Sequence, residues 1–127
     1  MLGKNDLVSF VATADKAAAR RFYEQVLGLR LVEDSPFALV FDANGAMLRV
    51  TPVPEHKTLP FTVLGWKVSD IAVTVRGLAA KGVNFDRFPG MTQDALGIWT
   101  TPDGAKVAWF KDSDGNLLSL TEFAAPR

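Results

Sequence analysis

Few residues in this chain are equipped for chemistry. Its 127 residues include no cysteine and a single histidine, His56. That excludes disulfides, thiolate nucleophiles, Cys-ligated metals and a histidine-rich metal site within one chain. Ser119 would need a nearby base to act as a nucleophile, and the lone imidazole lies in a proline-rich stretch, so Ser119 reads as a small polar wall residue. His56 itself reads as a solvated linker residue. Arg49 has the most promise: a guanidinium can grip a carboxylate or phosphate through parallel hydrogen bonds, though it cannot shed a proton to bind a cation. The plainer reading of Arg49 is an outer-strand side chain paired with an acid. Glu33, Glu55 and Glu122 read as surface charges. Lys111-Asp112-Ser113-Asp114 looks like the start of a calcium loop but lacks the remaining ligands and the closing Glu, so it is a turn. Phe10, Phe37, Phe41, Trp66, Trp99 and Trp109 offer flat surfaces on which a planar ligand could stack.

These side chains need elements to hold them. Ala105 to Lys111 and Leu117 to Phe123 are apolar or alternating runs around Asp114-Gly115-Asn116, a hairpin pattern whose turn residues tolerate positive φ. The pattern occurs twice. Asn44-Gly45-Ala46-Met47-Leu48-Arg49-Val50-Thr51 matches Asp114-Gly115-Asn116-Leu117-Leu118-Ser119-Leu120-Thr121 in turn, apolar spacing and final Thr. In the first copy, Leu7 to Ala12 predicts a strand buried on both faces. Asp15 then caps a helix with Ala19, Phe22, Tyr23 and Val26 on one face, and Gly28 ends it. Strands follow at Leu29 to Val32, Phe37 to Phe41 and Ala46 to Val53. Thr51 to Pro60, with three prolines, reads as a linker. In the second copy Phe61 to Val68 is the opening strand, Ser69-Asp70 caps a helix whose Ile71, Val75, Leu78 and Ala79 share a face, and Gly82 closes it. The stretch from helix cap to hairpin turn is about fifteen residues longer here. The insertion is expected within Phe85 to Thr101, where Gly97 to Thr101 adds a strand.

One helix covers one face of a four-stranded sheet and leaves the other apolar, so two such units are expected to close their open faces around a common concavity. The expected fold is α+β: two βαβββ modules (6–53 and 61–123, joined by linker 51–60) in one domain spanning 1–127. Their paired four-stranded, partly closed sheets would enclose a shared cleft. Strand parity puts Phe10 on the cleft face with Val8 and Trp66 on the helix-packed face opposite Val63; Trp99 and Trp109 fit either side. The repeat puts Arg49 on the cleft face. With 14 basic and 14 acidic residues and no run of like charge, the electrostatic footprint of a nucleic-acid or anionic-membrane binder is missing. No apolar run approaches membrane-spanning length and the amino end shows no apolar signal-peptide core, so a soluble cytoplasmic protein is expected.

Phe22-Tyr23-Glu24-Gln25-Val26-Leu27-Gly28-Leu29 after a capping Asp, with Trp109-Phe110-Lys111-Asp112-Ser113-Asp114-Gly115-Asn116 near the end, resembles the vicinal oxygen chelate superfamily. That group includes glyoxalase I, bleomycin-resistance proteins, fosfomycin-resistance enzymes and extradiol dioxygenases, and the likeness runs from about Leu7 to Thr121. It implies paired βαβββ modules and, in the enzymes, a divalent metal between the sheets that chelates two neighbouring substrate oxygens. The ligand positions it implies fall on Val8, Val63, Arg49 and Ser119. None is a carboxylate or imidazole, and Leu7, Ser9, Thr62, Leu64, Leu118 and Leu120 beside them are no better, so no metal and no other cofactor is expected. The resemblance therefore implies a glyoxalase-like protein that binds a small aromatic or anionic molecule in the cleft, through Phe10, Arg49, Val63, Trp99, Trp109 and Ser119. The alternatives are a lyase, isomerase or dioxygenase with an atypical metal site or metal-independent chemistry, and a purely structural domain. No catalytic residue is assigned. The resemblance also implies a two-fold homodimer.

Overall fold

Alternating burial along the first strand shows how each half is built. In β1 (Val8–Thr13), Val11 and Thr13 are 4% and 1% exposed whereas Val8 and Phe10 are 42% and 63% exposed. The strand expected to be buried on both faces is thus covered on one, because one short helix can shield only one side of the sheet.

The computed structural model describes residues 1–124 and divides between Lys57 and Thr58 into two compact units. The first runs β1, a helix α1 (Lys16–Arg20) prolonged by a π-helical turn (Arg21–Val26), β2 (Arg30–Asp34), β3 (Leu39–Ala43) and β4 (Ala46–Pro52). The second runs β5 (Leu64–Lys67), α2 (Ile71–Ala80), β6 (Trp99–Thr100), β7 (Lys106–Lys111) and β8 (Leu117–Glu122). The sheets have the same order, β1-β4-β3-β2 and β5-β8-β7-β6, with the first and last strand of each unit parallel and the other pairs antiparallel. The fold is α+β, a βαβββ unit written twice. Among the described residues no helix is long and apolar enough to cross a membrane.

Both helices begin at the expected caps. The Asp15 carboxylate accepts from the Ala18 amide at 3.1 Å and the Asp70 carboxylate from the Val73 amide at 3.2 Å, each satisfying an orphan donor of the first turn. α2 ends in a Schellman motif: the amides of Gly82 (φ 94°) and Val83 donate to Ala79 and Leu78. The first helix departs from the α-helix its spacing predicts. The Leu27 amide reaches five residues back to Phe22, and the Leu29 amide beyond Gly28 reaches Tyr23. This wider π turn still buries Ala19 and Tyr23 fully, with Phe22 and Val26 half-buried.

Strand pairing assigns side chains to faces, since directly opposed residues lie on the same side. On the helix face of the first sheet, Leu39 and Phe41 oppose Val50 and Leu48, and Tyr23 packs on Phe41 with ring centroids 5.9 Å apart. On the helix face of the second, Ala108 and Phe110 oppose Leu120 and Leu118, and Trp66 stacks on Phe110 at 6.5 Å and 21°.

The extra length of the second copy sits at one point of the edge strand. In the first sheet the β2–β3 register slips at Val32, between Leu31 and Glu33. In the second, Phe85 bridges Phe110, the chain then leaves the sheet, and it returns at Trp99 opposite Val107. The Trp99 segment is therefore the edge strand of its own sheet, the counterpart of β2, and not an addition to it. The opening strand of this unit is shorter than its apolar run suggests. Phe61 to Val63 precede β5, although the Val63 amide already donates to the Leu117 carbonyl.

Candidate functional site

The side of each sheet away from its helix carries the side chains singled out from the sequence. On the first sheet, Val8 opposes Met47, Phe10 opposes Arg49, and Arg49 also faces Val40 on β3. Arg49 is half-buried and has no hydrogen bond or ion pair among the described residues. The acid nearest in register, Asp42, is taken by Arg30 at 3.7 Å. Val32, Val40, Asp42 and Met47 border a shallow hollow beside that pair.

On the second sheet the same register positions hold different chemistry. Ser119 occupies the place of Arg49, flanked by Gly65 on β5 and Trp109 on β7. Trp99 opposes Val107, which opposes Thr121, so both tryptophans left open by parity lie on this far face. Their rings are 6.1 Å apart at 31°. Phe88 meets Trp109 edge-on at 5.3 Å and 87°, so three aromatic rings form one platform. Val63 continues the face just before β5, its amide bonded to Leu117.

Phe88 escaped sequence reasoning because it lies in the excursion between Phe85 and Trp99, which has no periodicity to read. One residue shapes that excursion. The Gln93 side chain accepts from the Phe88 amide at 2.8 Å and donates to the carbonyls of Asp86 and Gly97 at 2.9 and 2.8 Å. Asp94 adds bonds from the Leu96 and Ile98 amides, both at 2.9 Å.

Other candidates fall elsewhere. Phe41 is fully buried on the helix face and Phe37 is 78% exposed. His56 is not the solvated linker residue expected: it is half-buried, and its Nε2 has neither water access nor a hydrogen-bond partner among the described residues. Glu122 accepts from the Ile71 amide at 3.0 Å, a second cap on α2. Asp112 closes its own turn, accepting from the Asp114 and Asn116 amides and from the Asn116 side chain.

The positions at which a divalent metal would be held carry Val8, Val63, Arg49 and Ser119, all on the far faces of their sheets. This donor set does not fit a cation, since two aliphatic chains and a permanent positive charge offer it nothing. No group of three or more His, Asp or Glu side chains that could hold a metal comes together among the described residues.

Two βαβββ units in one strand order, with polar and aromatic groups on the faces their helices leave free, define the fold class of the vicinal oxygen chelate proteins. The profile of the Glyoxalase/Bleomycin resistance protein/Dioxygenase superfamily matches residues 6–120, and the chain belongs to that superfamily. No curated protein matches the sequence. Among solved structures, the chain is similar to TnmS3, an antibiotic binding protein from Streptomyces sp. CB03234, with 22% identity, a TM-score of 0.71, and coverage of 96% of this chain and 98% of that one. It is similar to lactoylglutathione lyase from Agrobacterium tumefaciens, with 18% identity, a TM-score of 0.72, and coverage of 94% and 93%. A superfamily member from Sphaerobacter thermophilus shows 19% identity, a TM-score of 0.73, and coverage of 97% and 100%.

Proposed function

We propose that the protein binds small molecules, planar or negatively charged, on the far faces of its sheets, as a sequestering or sensing member of its superfamily. The observation that carries this reading is the platform of Trp109, Trp99 and Phe88, which offers stacking surface where a metal enzyme would need a ligand close by. Arg49 supports it as a half-buried guanidinium without an acidic partner among the described residues, a costly arrangement that an anion offsets. The fold shared with TnmS3, an antibiotic binding protein, supports a binding role. On the first far face Phe10 serves as an apolar neighbour of Arg49; on the second, Val63 serves as an apolar wall and Ser119 as a polar one.

The direct test is a thermal-shift panel of aromatic carboxylates, with plain carboxylates and phosphates as controls. Aromatic anions should raise the melting temperature most, and a panel without any stabilising compound would remove the proposal. A second reading, a lyase or isomerase, is favoured by the fold shared with lactoylglutathione lyase. Turnover of the methylglyoxal–glutathione adduct with added nickel, zinc, manganese or ferrous iron would establish it; none is expected. We further propose that the protein is cytoplasmic and a two-fold homodimer; the dimer is supported by β1, β2, β5 and β6, which stand at the ends of their sheets and need covering. Light scattering at micromolar concentration should give twice the 13.8 kDa chain mass.

A further inference from the structure

Ser119 is only 9% exposed, yet its hydroxyl has no hydrogen-bond partner among the described residues. The hydroxyl oxygen is not itself enclosed, so it lies open on a face that otherwise offers stacking surface, where water or a group on a bound molecule can bond it. A second observation bears on the same atom. A Cβ built on Gly65 would lie 2.7 Å from Ser119 Oγ and 3.2 Å from the Ser119 carbonyl oxygen. Gly65 is not among the glycines with positive φ, so its backbone does not demand glycine; the space above it is what the missing side chain provides, and the serine hydroxyl fills it.

Resting on the proposed planar ligand, we infer that Ser119 selects among such ligands by hydrogen-bonding a hydroxyl, carbonyl or amide group on the ring edge, and that Gly65 keeps the serine hydroxyl in position to do so. Ser119 and Trp109 are directly opposed across β8 and β7, where Cβ atoms lie about 4.5–5.5 Å apart. A ring resting against the Trp109 indole therefore brings its edge over the hydroxyl. A hydroxyl both donates and accepts, so the ligand group can be of either kind. The first sheet has no equivalent, because Phe10 stands where Gly65 stands and Arg49 where Ser119 stands.

The test uses two probes of the same shape, 2-naphthol and 2-methylnaphthalene, in equilibrium dialysis against the full chain. Wild type should bind 2-naphthol about tenfold more tightly, the size of one net hydrogen bond at the upper end of its range. Ser119→Ala should abolish that preference and leave 2-methylnaphthalene unaffected. Gly65→Ala should do the same although the hydroxyl is retained, because it must swing away from the new methyl group; Ser119→Ala decides alone if this variant fails to fold. Equal binding of the two probes by wild type, or a preference that survives Ser119→Ala, overturns the inference while leaving the platform intact. If neither probe binds wild type, the platform reading falls and this one with it. Loss of both probes in Trp109→Ala, with Ser119→Ala losing only 2-naphthol, is the pattern that upholds both.

Discussion

The two units differ least where they face their helices and most where they do not. Phe41 and Phe110 stand at the same register position, both fully buried, and Leu48 with Val50 repeats as Leu118 with Leu120. One step along the same strands, Val40 and Arg49 on the first sheet become Trp109 and Ser119 on the second. Because the side-chain period of a strand is two residues, a duplicated module can hold its core and rewrite its other face independently. The difference teaches where binding chemistry is written: on positions that folding leaves free.

The largest expected effect separates those two classes of position. Phe110→Ala empties a site with no exposure and should cost about 3–5 kcal/mol in urea unfolding, as should Phe41→Ala. Trp109→Ala on the half-buried far face should cost less than half as much despite the larger side chain. Equal costs would break the contrast between the faces. Arg49→Ala should cost little in folding, about 0.5 kcal/mol or less. It should nevertheless lower affinity for an aromatic carboxylate by about tenfold to a hundredfold, the size of a charge-assisted contact. An unchanged affinity would mean that the first sheet takes no part in binding the anion.

Gln93→Ala sharpens the comparison from the side of the inserted loop. It removes three hydrogen bonds to backbone groups and should destabilise the protein by about 1–3 kcal/mol, with faster amide exchange confined to residues 86–98. Faster exchange spread over β7 and β8 as well would show that the loop supports the sheet and is not merely carried by it. The smallest effect concerns acid. Asp34 is bonded to Lys16 at 2.7 Å and to Arg20 at 3.1 Å. The hydrogen bond from the Lys16 ammonium, helped by the charges of Lys16 and Arg20 and opposed by desolvation, holds its carboxyl below the ordinary value. A carboxylate lowered on folding contributes fully above its unfolded pKa and loses that contribution as pH falls through the folded one. Asp34→Asn should therefore narrow the gap in stability between neutral and acid pH, by little because the pair is solvent-exposed. Titration of wild type and variant by thermal melts at several pH values checks the sign.

Much of the scaffold was legible because its signals are local. Asp15 and Asp70 announce the helix starts, Gly28 and Gly82 the ends, and parity within one strand suffices to put Phe10 and Trp66 on opposite kinds of face. Trp99 and Trp109 needed more, since their sides depend on the register between strands, which the chain specifies only through pairing. The π turn was invisible because Ala19, Phe22, Tyr23 and Val26 satisfy α-helical spacing equally well. His56 and Phe88 lie in irregular segments whose burial depends on contacts distant in sequence.

The slip at Val32 has a practical consequence for building on this scaffold. The same strand that absorbs one extra residue in the first unit absorbs a whole excursion in the second, without disturbing the order of either sheet. Lengthening a surface loop is cheap in closure entropy, about 0.6 kcal/mol for each doubling. Val32 is thus a natural grafting point, where a foreign peptide could be displayed at the sheet margin while the strands on either side keep their pairing.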